Sequence, residues 1–386
     1  MVQASVSTRR PLEDTTLEDV ARLLGRSFAV RDVVNGPDGL TATVEDDVSH
    51  DHLRQAVVQV LRVARHLTEE CVFSSEPAGW RGSDAQPALE ACGDVQRLGP
   101  GLFAFSGGFL EVRSALDALL LRIAARHGAR KLAYPPLWPI PVLRDINYFH
   151  DFPQLAMVAA GVSTDFASRS RFSEAYRRDS GSTAIACTAE NGLAPAINAL
   201  APTVCDCCYW LLRGRRDVAD QVLTIHGHVF RNEASDKGSL DRLSAFTMHE
   251  IVTVGTEAFV LARRQALLEE MKQLALSLGL RCTIEAADDP FFCNDALQKS
   301  LLQTAAQLKY ELRVVLFEDR KIAVGSLNLH NDYFSKSYDY TTSDGIRPFS
   351  GCFAIGCERL VFALFCRYGP SLAQWPLPVR SALGLG

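Results

Sequence analysis

The chain has 386 residues, 47% of them hydrophobic, 22% charged and 9% aromatic, with a formal net charge of −5. These proportions exclude a disordered, collagen-like or low-complexity chain, and the length suffices for two domains, one of them large. No apolar run approaches the roughly 18 residues that span a bilayer, and the arginine-bearing stretch from Met1 to Arg10 has no apolar segment behind it, so neither a membrane span nor a secretory signal is expected. The 11 cysteines therefore read as reduced thiols or metal ligands in a cytoplasmic protein, not as a disulfide frame.

In chain order, Thr15-Thr16-Leu17-Glu18 forms a capping box ahead of Val20, Ala21, Leu23 and Leu24 at helical spacing. Asn35-Gly36-Pro37-Asp38-Gly39 is a turn beside a short alternating run, Leu40 to Val44. Leu53, Val57, Val60, Leu61, Ala64 and Leu67 line one face of a second helix. Residues 74–100, rich in Ser, Gly, Pro and Ala, read as a linker. The chain is thus expected to divide into a small N-terminal α/β domain over 1–95 and a larger domain over 96–386. Residues 1–99 hold 10 arginines, no lysine and 16 acidic residues, a net of −6, and an acidic surface of this kind is unsuited to gripping nucleic acid.

A long amphipathic helix is expected from Gly107 to His127, followed by a short strand at Lys131–Pro136 that the prolines stop. Strands are expected at Gly227–Phe230, Phe246–Gly255, Leu312–Phe317 and Cys352–Gly356, and helices at Glu257–Leu278 and Asn294–Leu308. Strands separated by long excursions point to an α+β fold, a mostly antiparallel sheet flanked by helices.

Chemistry-bearing residues concentrate in three places. Phe230-Arg231-Asn232-Glu233, a loop with Arg242, and the return strand from Phe246 through Glu250 suit a nucleotide, since arginine forks onto phosphate and an aromatic ring stacks on a base. An ordinary hairpin with an Arg–Glu ion pair accounts for the same residues. Gly351-Cys352-Phe353-Ala354-Ile355-Gly356-Cys357-Glu358-Arg359-Leu360 is a glycine-bearing strand running into a helix, with Arg359 where an anion would lie. Cys205, Cys207 and Cys208 crowd together after Ala201-Pro202-Thr203-Val204, without the paired CxxC spacing of a zinc finger, and by themselves read as core residues sooner than as ligands.

Taken in order, these segments resemble the three signature motifs of the class II aminoacyl-tRNA synthetases, with Pro135-Pro136 ending motif 1. Leu200-Ala201-Pro202-Thr203-Val204-Cys205 stands where the seryl enzymes read Leu-Ile-Pro-Thr-Ala-Glu, and cysteine at that place resembles the archaeal-type seryl enzymes and the amino acid–carrier protein ligases. Thr188-Ala189-Glu190 copies the seryl string literally, but it lies 40 residues before Phe230, against 25 for Cys205. The likeness spans about residues 107–368, including Ala286–Phe292 and Leu308–Leu312.

The resemblance implies a zinc site on Cys205, Glu250 and Cys352 whose fourth position takes a substrate amine, with Cys208 as the alternative to Cys205. It implies that Arg231 holds the α-phosphate of ATP, Glu233 the adenine amino group, Phe246 the adenine ring, and Arg242 and Arg359 the outer phosphates. Glu311 is the candidate magnesium ligand, against which stands Ala323 at the place of the family glutamate nearer Ser326; Ser326 and Asn328 are candidates for the amino acid pocket. Motif 1 implies a homodimer. The short, acidic N-terminal segment resembles the ligases that pass an aminoacyl group to a phosphopantetheinylated carrier protein, not to tRNA. An aminoacyl-tRNA synthetase and a non-catalytic binding module on the same scaffold are the alternatives.

Overall fold

The computed structural model describes residues 1–8, 12, 16–17, 20–21, 24, 28–36, 39–64, 71–178, 188–232, 238–289, 291, 299–300, 303 and 306–385. Most of the two helices expected at 15–24 and 294–308 lies outside these residues. The chain folds as two units, one of residues 1–74, 150–153 and 283–311, the other of residues 75–149, 154–282 and 312–386.

In the first unit, β1 (Val2–Ser7), β2 (Val30–Gly36) and β3 (Gly39–Val44) make an antiparallel sheet in the order β1–β3–β2. Alternation along β3 sends Leu40, Ala42 and Val44 inward, where they meet Leu53, Val57, Val60 and Leu61 of the helix His50–Ala64. Two periods, two in the strand and 3.6 in the helix, thus build one small core. The unit also includes Cys71–Ser74 of β4 (Cys71–Ser75).

Residues 74–100, which from Ser75 onward belong to the second unit, are no mere linker. They contain a helix (Gln86–Ala91) and β5 (Val95–Gly99), which pairs with β6 (Leu102–Phe105). Alanine, leucine and the helix-starting Pro87 in this stretch favour the turn of helix over an extended chain. The helix Gly107–Arg126 buries Phe109, Val112, Leu116, Leu120 and Ile123 at intervals of three and four, and leads to β7 (Arg130–Leu132). A small antiparallel sheet follows, from β8 (Leu137–Pro139), β9 (Val158–Ala159) and β10 (Asn198–Leu200).

The main sheet is formed with β11 (Gln221–Phe230), β12 (Ala245–Gly255), β15 (Lys321–Asn331) and β16 (Phe349–Gly356); β13 (Cys282–Ala286) and β14 (Lys309–Val315) each carry residues of both units. Within the second unit the order is β14–β15–β16–β12–β11–β7. The β15–β16, β16–β12 and β12–β11 pairs are antiparallel and β11–β7 is parallel. This is the α+β architecture expected. The helix Glu257–Ser277 starts where the Thr256 hydroxyl accepts the Phe259 N–H (3.4 Å), and Asp220 takes the Thr256 N–H in turn (2.6 Å). The helix Cys357–Tyr368 springs directly from β16 and is buried along most of its length. Among the described residues no helix is long and apolar enough to cross a membrane.

Candidate active site

Opposed residues of an antiparallel pair share a face, as do residues two apart. In β12 and β16, Glu250 faces Ala354 and Val252 faces Cys352; in β15 and β16, Asn328 faces Cys352 and Ser326 faces Ala354. Phe246, Met248, Glu250, Cys352, Ala354, Ser326 and Asn328 therefore occupy one face of the sheet. Cys205 reaches the same place from the turn ahead of the short helix Asp206–Trp210, and the Val204 N–H donates to Glu250 Oε1 (3.3 Å).

The ligand atoms of Cys205, Glu250 and Cys352 all lie within 4.8 Å of one another, and all three residues are buried. Glu250 Oε2 is buried with no hydrogen-bond partner among the described residues. The close approach of Cys352, then burial and the Glu250 charge, push the Cys205 thiol well above its ordinary pKa; burial likewise pushes the Glu250 carboxyl upward. Two thiols and a carboxyl with one orphaned oxygen, packed together, are a donor set that a divalent ion with bonds of about 2.0–2.3 Å would satisfy. The residues present fit zinc. Cys208 sits apart from this cluster, buried and accepting from the Tyr134 hydroxyl (3.5 Å), and Glu190 is exposed.

β16 can approach β15 closely because residue 351 is glycine: a Cβ there would stand 2.7 Å from the Asn328 carbonyl oxygen. Asn328 Nδ2 donates to Cys352 Sγ (3.3 Å) and to Ser326 Oγ (3.1 Å), so both pocket candidates border the cluster.

Arg231 leaves the end of β11 with its Nε–H on the Pro202 carbonyl (2.9 Å). Its guanidinium carbon lies 5.6 Å from the centre of the Phe246 ring, and that of Arg359 lies 6.0 Å from the same ring. A ring approached by two cations on a shared face is suited to a nucleotide base and its phosphates. Arg242 is exposed in the loop before β12. Glu233 lies outside the described residues. Glu311 belongs to the first unit and pairs with the buried Lys309 (3.0 Å), which also meets Asp289 (2.8 Å). Burial alone would lower the pKa of Lys309, but the two carboxylates carry it upward.

Three features went unread in the sequence. Asp206, beside Cys205, is buried, and its carboxyl is pushed up to about 7 by burial and by Glu250. His330 contacts Cys352 and Tyr209. Glu358 accepts both the N–H and the hydroxyl of Thr247. Glu358 immediately precedes Arg359, which was the available signal; Asp206 and His330 carry none that spacing could reveal.

No family model matches the sequence. The chain is 30% identical over 283 residues to amino acid–acyl-carrier-protein ligase 1 of Bradyrhizobium diazoefficiens, a match covering 71% of this chain and 84% of the relative. It is 25% identical over 390 residues to the type-2 serine–tRNA ligase of Methanopyrus kandleri, covering 91% of this chain and 72% of that one. Among solved structures, M. kandleri SerRS in complex with A. aeolicus tRNASec superposes with a TM-score of 0.71 at 22% identity, over 98% of this chain and 76% of that one. The match to the ligase over most of its length, on a fold shared with the seryl-tRNA synthetases, places this chain in the amino acid–acyl-carrier-protein ligase family, enzymes of the class II synthetase type.

Proposed function

We propose that the protein activates a small amino acid with ATP and passes it to the phosphopantetheine thiol of a carrier protein. The observation that carries this reading is the shared sheet face, on which the Cys205–Glu250–Cys352 cluster and the Arg231–Phe246–Arg359 group lie together. One end of that face suits an amine and the other a nucleotide, the two reactants of adenylation.

Cys205, Glu250 and Cys352 would hold zinc, which would supply Lewis-acid binding of a neutral amine. The remaining work falls to the chain's own side chains. Phe246 stacks on adenine and Glu233 takes its amino group. Arg231 binds the α-phosphate and stabilises charge as the amino acid carboxylate attacks phosphorus and pyrophosphate departs. Arg242 and Arg359 bind the outer phosphates, and Ser326 and Asn328 line the amino acid pocket. In the second half-reaction the carrier thiol, giving up its proton, attacks the adenylate carbonyl and AMP leaves as the thioester forms. The protein works in the cytoplasm as a homodimer through the helix Gly107–Arg126 and the segment after it.

A tRNA acceptor is the second reading, favoured by the 91% of the chain that matches the serine–tRNA ligase. The acidic, lysine-free first 99 residues favour the carrier. The test is pyrophosphate exchange across the twenty amino acids, then incubation of the productive one with phosphopantetheinylated carrier and with bulk tRNA. Label on the carrier alone supports the proposal; label on tRNA alone overturns its acceptor, and no exchange overturns adenylation.

A further inference from the structure

Between β15 and β16, Leu329 opposes Gly351 and Asn331 opposes Ser350, so His330 is an extra residue in a bulge. Asn331 closes that bulge in the left-handed region, at φ 49°. Bulges re-aim a side chain at the cost of a ladder bond. This one brings the imidazole to the metal cluster: Nε2 lies 3.9 Å from Cys352 Sγ, and Nδ1 lies 3.3 Å from Tyr209 Oη and 3.5 Å from Ser350 Oγ. The ring is fixed edge-on against Phe334 (4.9 Å, 87°) and Tyr209 (5.7 Å, 77°).

We infer that His330 is a positioning residue for the metal centre, donating from Nε2–H to the Cys352 sulfur and so fixing that ligand's orientation and charge. The inference rests on the zinc reading above. Hydrogen-bond inventory sets its direction. The Tyr209 hydroxyl, which also donates to the Gly351 carbonyl (3.5 Å), and the Ser350 hydroxyl can each give or take a proton at Nδ1, so the direction is set at Nε2, where the ring proton must lie if it faces a bound thiolate. Cys352 as a bound thiolate is an acceptor only, and it already takes one bond from Asn328 Nδ2 (3.3 Å). A second donor restrains the sulfur's rotamer and draws off part of its charge, leaving a bound ion more attractive to an amine. Groups that orient metal ligands in this way typically carry about 10–100-fold in metal affinity. Tyr209, stacked on Phe334 (4.0 Å), in turn holds the imidazole, so a single packed column runs from the helix Tyr333–Ser337 to the cluster.

The test compares wild type, His330→Gln and His330→Phe, each loaded with cobalt(II) and checked for folding by circular dichroism. Glutamine keeps a donor near the Nε2 position; phenylalanine keeps the packing against Tyr209 and Phe334 but has no donor. The expected result is about 10–100-fold weaker cobalt affinity in His330→Phe, with its sulfur-to-cobalt charge-transfer band moved to lower energy, and partial recovery of both in His330→Gln. Equal affinity and an unmoved band in His330→Phe would show that the ring only packs, and would overturn the inference while leaving the metal site intact. If wild type itself takes up no cobalt with a thiolate band, the metal reading falls and the inference falls with it.

Discussion

The carboxylate of Glu358 accepts the backbone N–H of Thr247 at 2.7 Å and its hydroxyl at 2.6 Å. β16 ends opposite Met248, so Thr247 has no further strand partner on that side, and Glu358 stands in for one. Arg113 of the helix Gly107–Arg126 reaches the same carboxylate (3.3 Å). The contact ties the start of the Arg359 helix to the strand that carries Phe246.

Replacing Glu358 with alanine should therefore loosen the Phe246–Arg359 pair. It also leaves a buried N–H unpaired, at a cost of about 1–3 kcal/mol. Kinetics of pyrophosphate exchange should show KM for ATP raised several-fold, with KM for the amino acid little changed. An effect confined to the amino acid would contradict this placement.

Metal removal should be read in stability as well as activity. Acid-digested protein should release about one zinc per chain, and Cys352→Ser should release far less. A ligand held at about 1,000 times its Kd stabilises the native state by about 4 kcal/mol, so chelation should lower the melting temperature of wild type and leave Cys352→Ser nearly unmoved. Equal melting shifts in the two proteins would count against the cluster.

Gly351→Ala tests the close approach of β16 and β15. Its Cβ would meet the Asn328 carbonyl at 2.7 Å, a backbone atom with little room to yield. Overpacking of this kind costs about 1–3 kcal/mol, and because Cys352 is the next residue, zinc content should fall together with the melting temperature. A variant with full zinc and unchanged stability would show that the strands can separate freely.

On the far face of β12, His249 Nδ1 meets Asp117 (2.6 Å) and its Nε2 meets Thr224 (2.9 Å), while His226 stacks on His249 (5.8 Å). Burial lowers the pKa of His226, reinforced by His249 and Arg113 and opposed by Asp117 and Glu358. A histidine whose folded pKa lies below its unfolded value of about 6.5 binds fewer protons when folded. Its contribution is thus intact above about pH 6.5 and is lost as pH falls toward the folded value. Denaturation midpoints measured from pH 7.5 to 5 should decline in wild type, and His226→Gln should flatten part of that decline. An identical slope in the variant would remove His226 as its source.

The helices Gly107–Arg126 and Glu257–Ser277 were legible because each buries one face at a regular period, and the strand Ala245–Gly255, buried on both faces, through its aromatic and β-branched residues. β15 was not, because Ser326, Asn328 and His330 put polar groups where a core strand would show apolar ones. Function hid structure there. The cluster residues were legible only through family resemblance, since no local spacing relates Cys205, Glu250 and Cys352. The bulge at His330 depends on how two distant strands pair, which no local window contains. The linker reading of residues 74–100 failed because its small and polar residues were weighed by composition, while Leu89 and Val95 supply enough burial to order it.

Cys205 and Glu250 are 45 residues apart in the chain, and Cys352 lies 102 further on. Bringing such ends together carries a loop-closure cost that an unfolded chain has nothing to offset. In small zinc modules the ligands are near neighbours, and the ion can draw the polypeptide around itself. Here the order is reversed: β12 and β16 must pair and the turn at Cys205 must dock before an ion finds the three donors of this cluster together. An ion in this cluster is thus a late arrival that inspects finished architecture, and its uptake during refolding should lag the burial of the sheet.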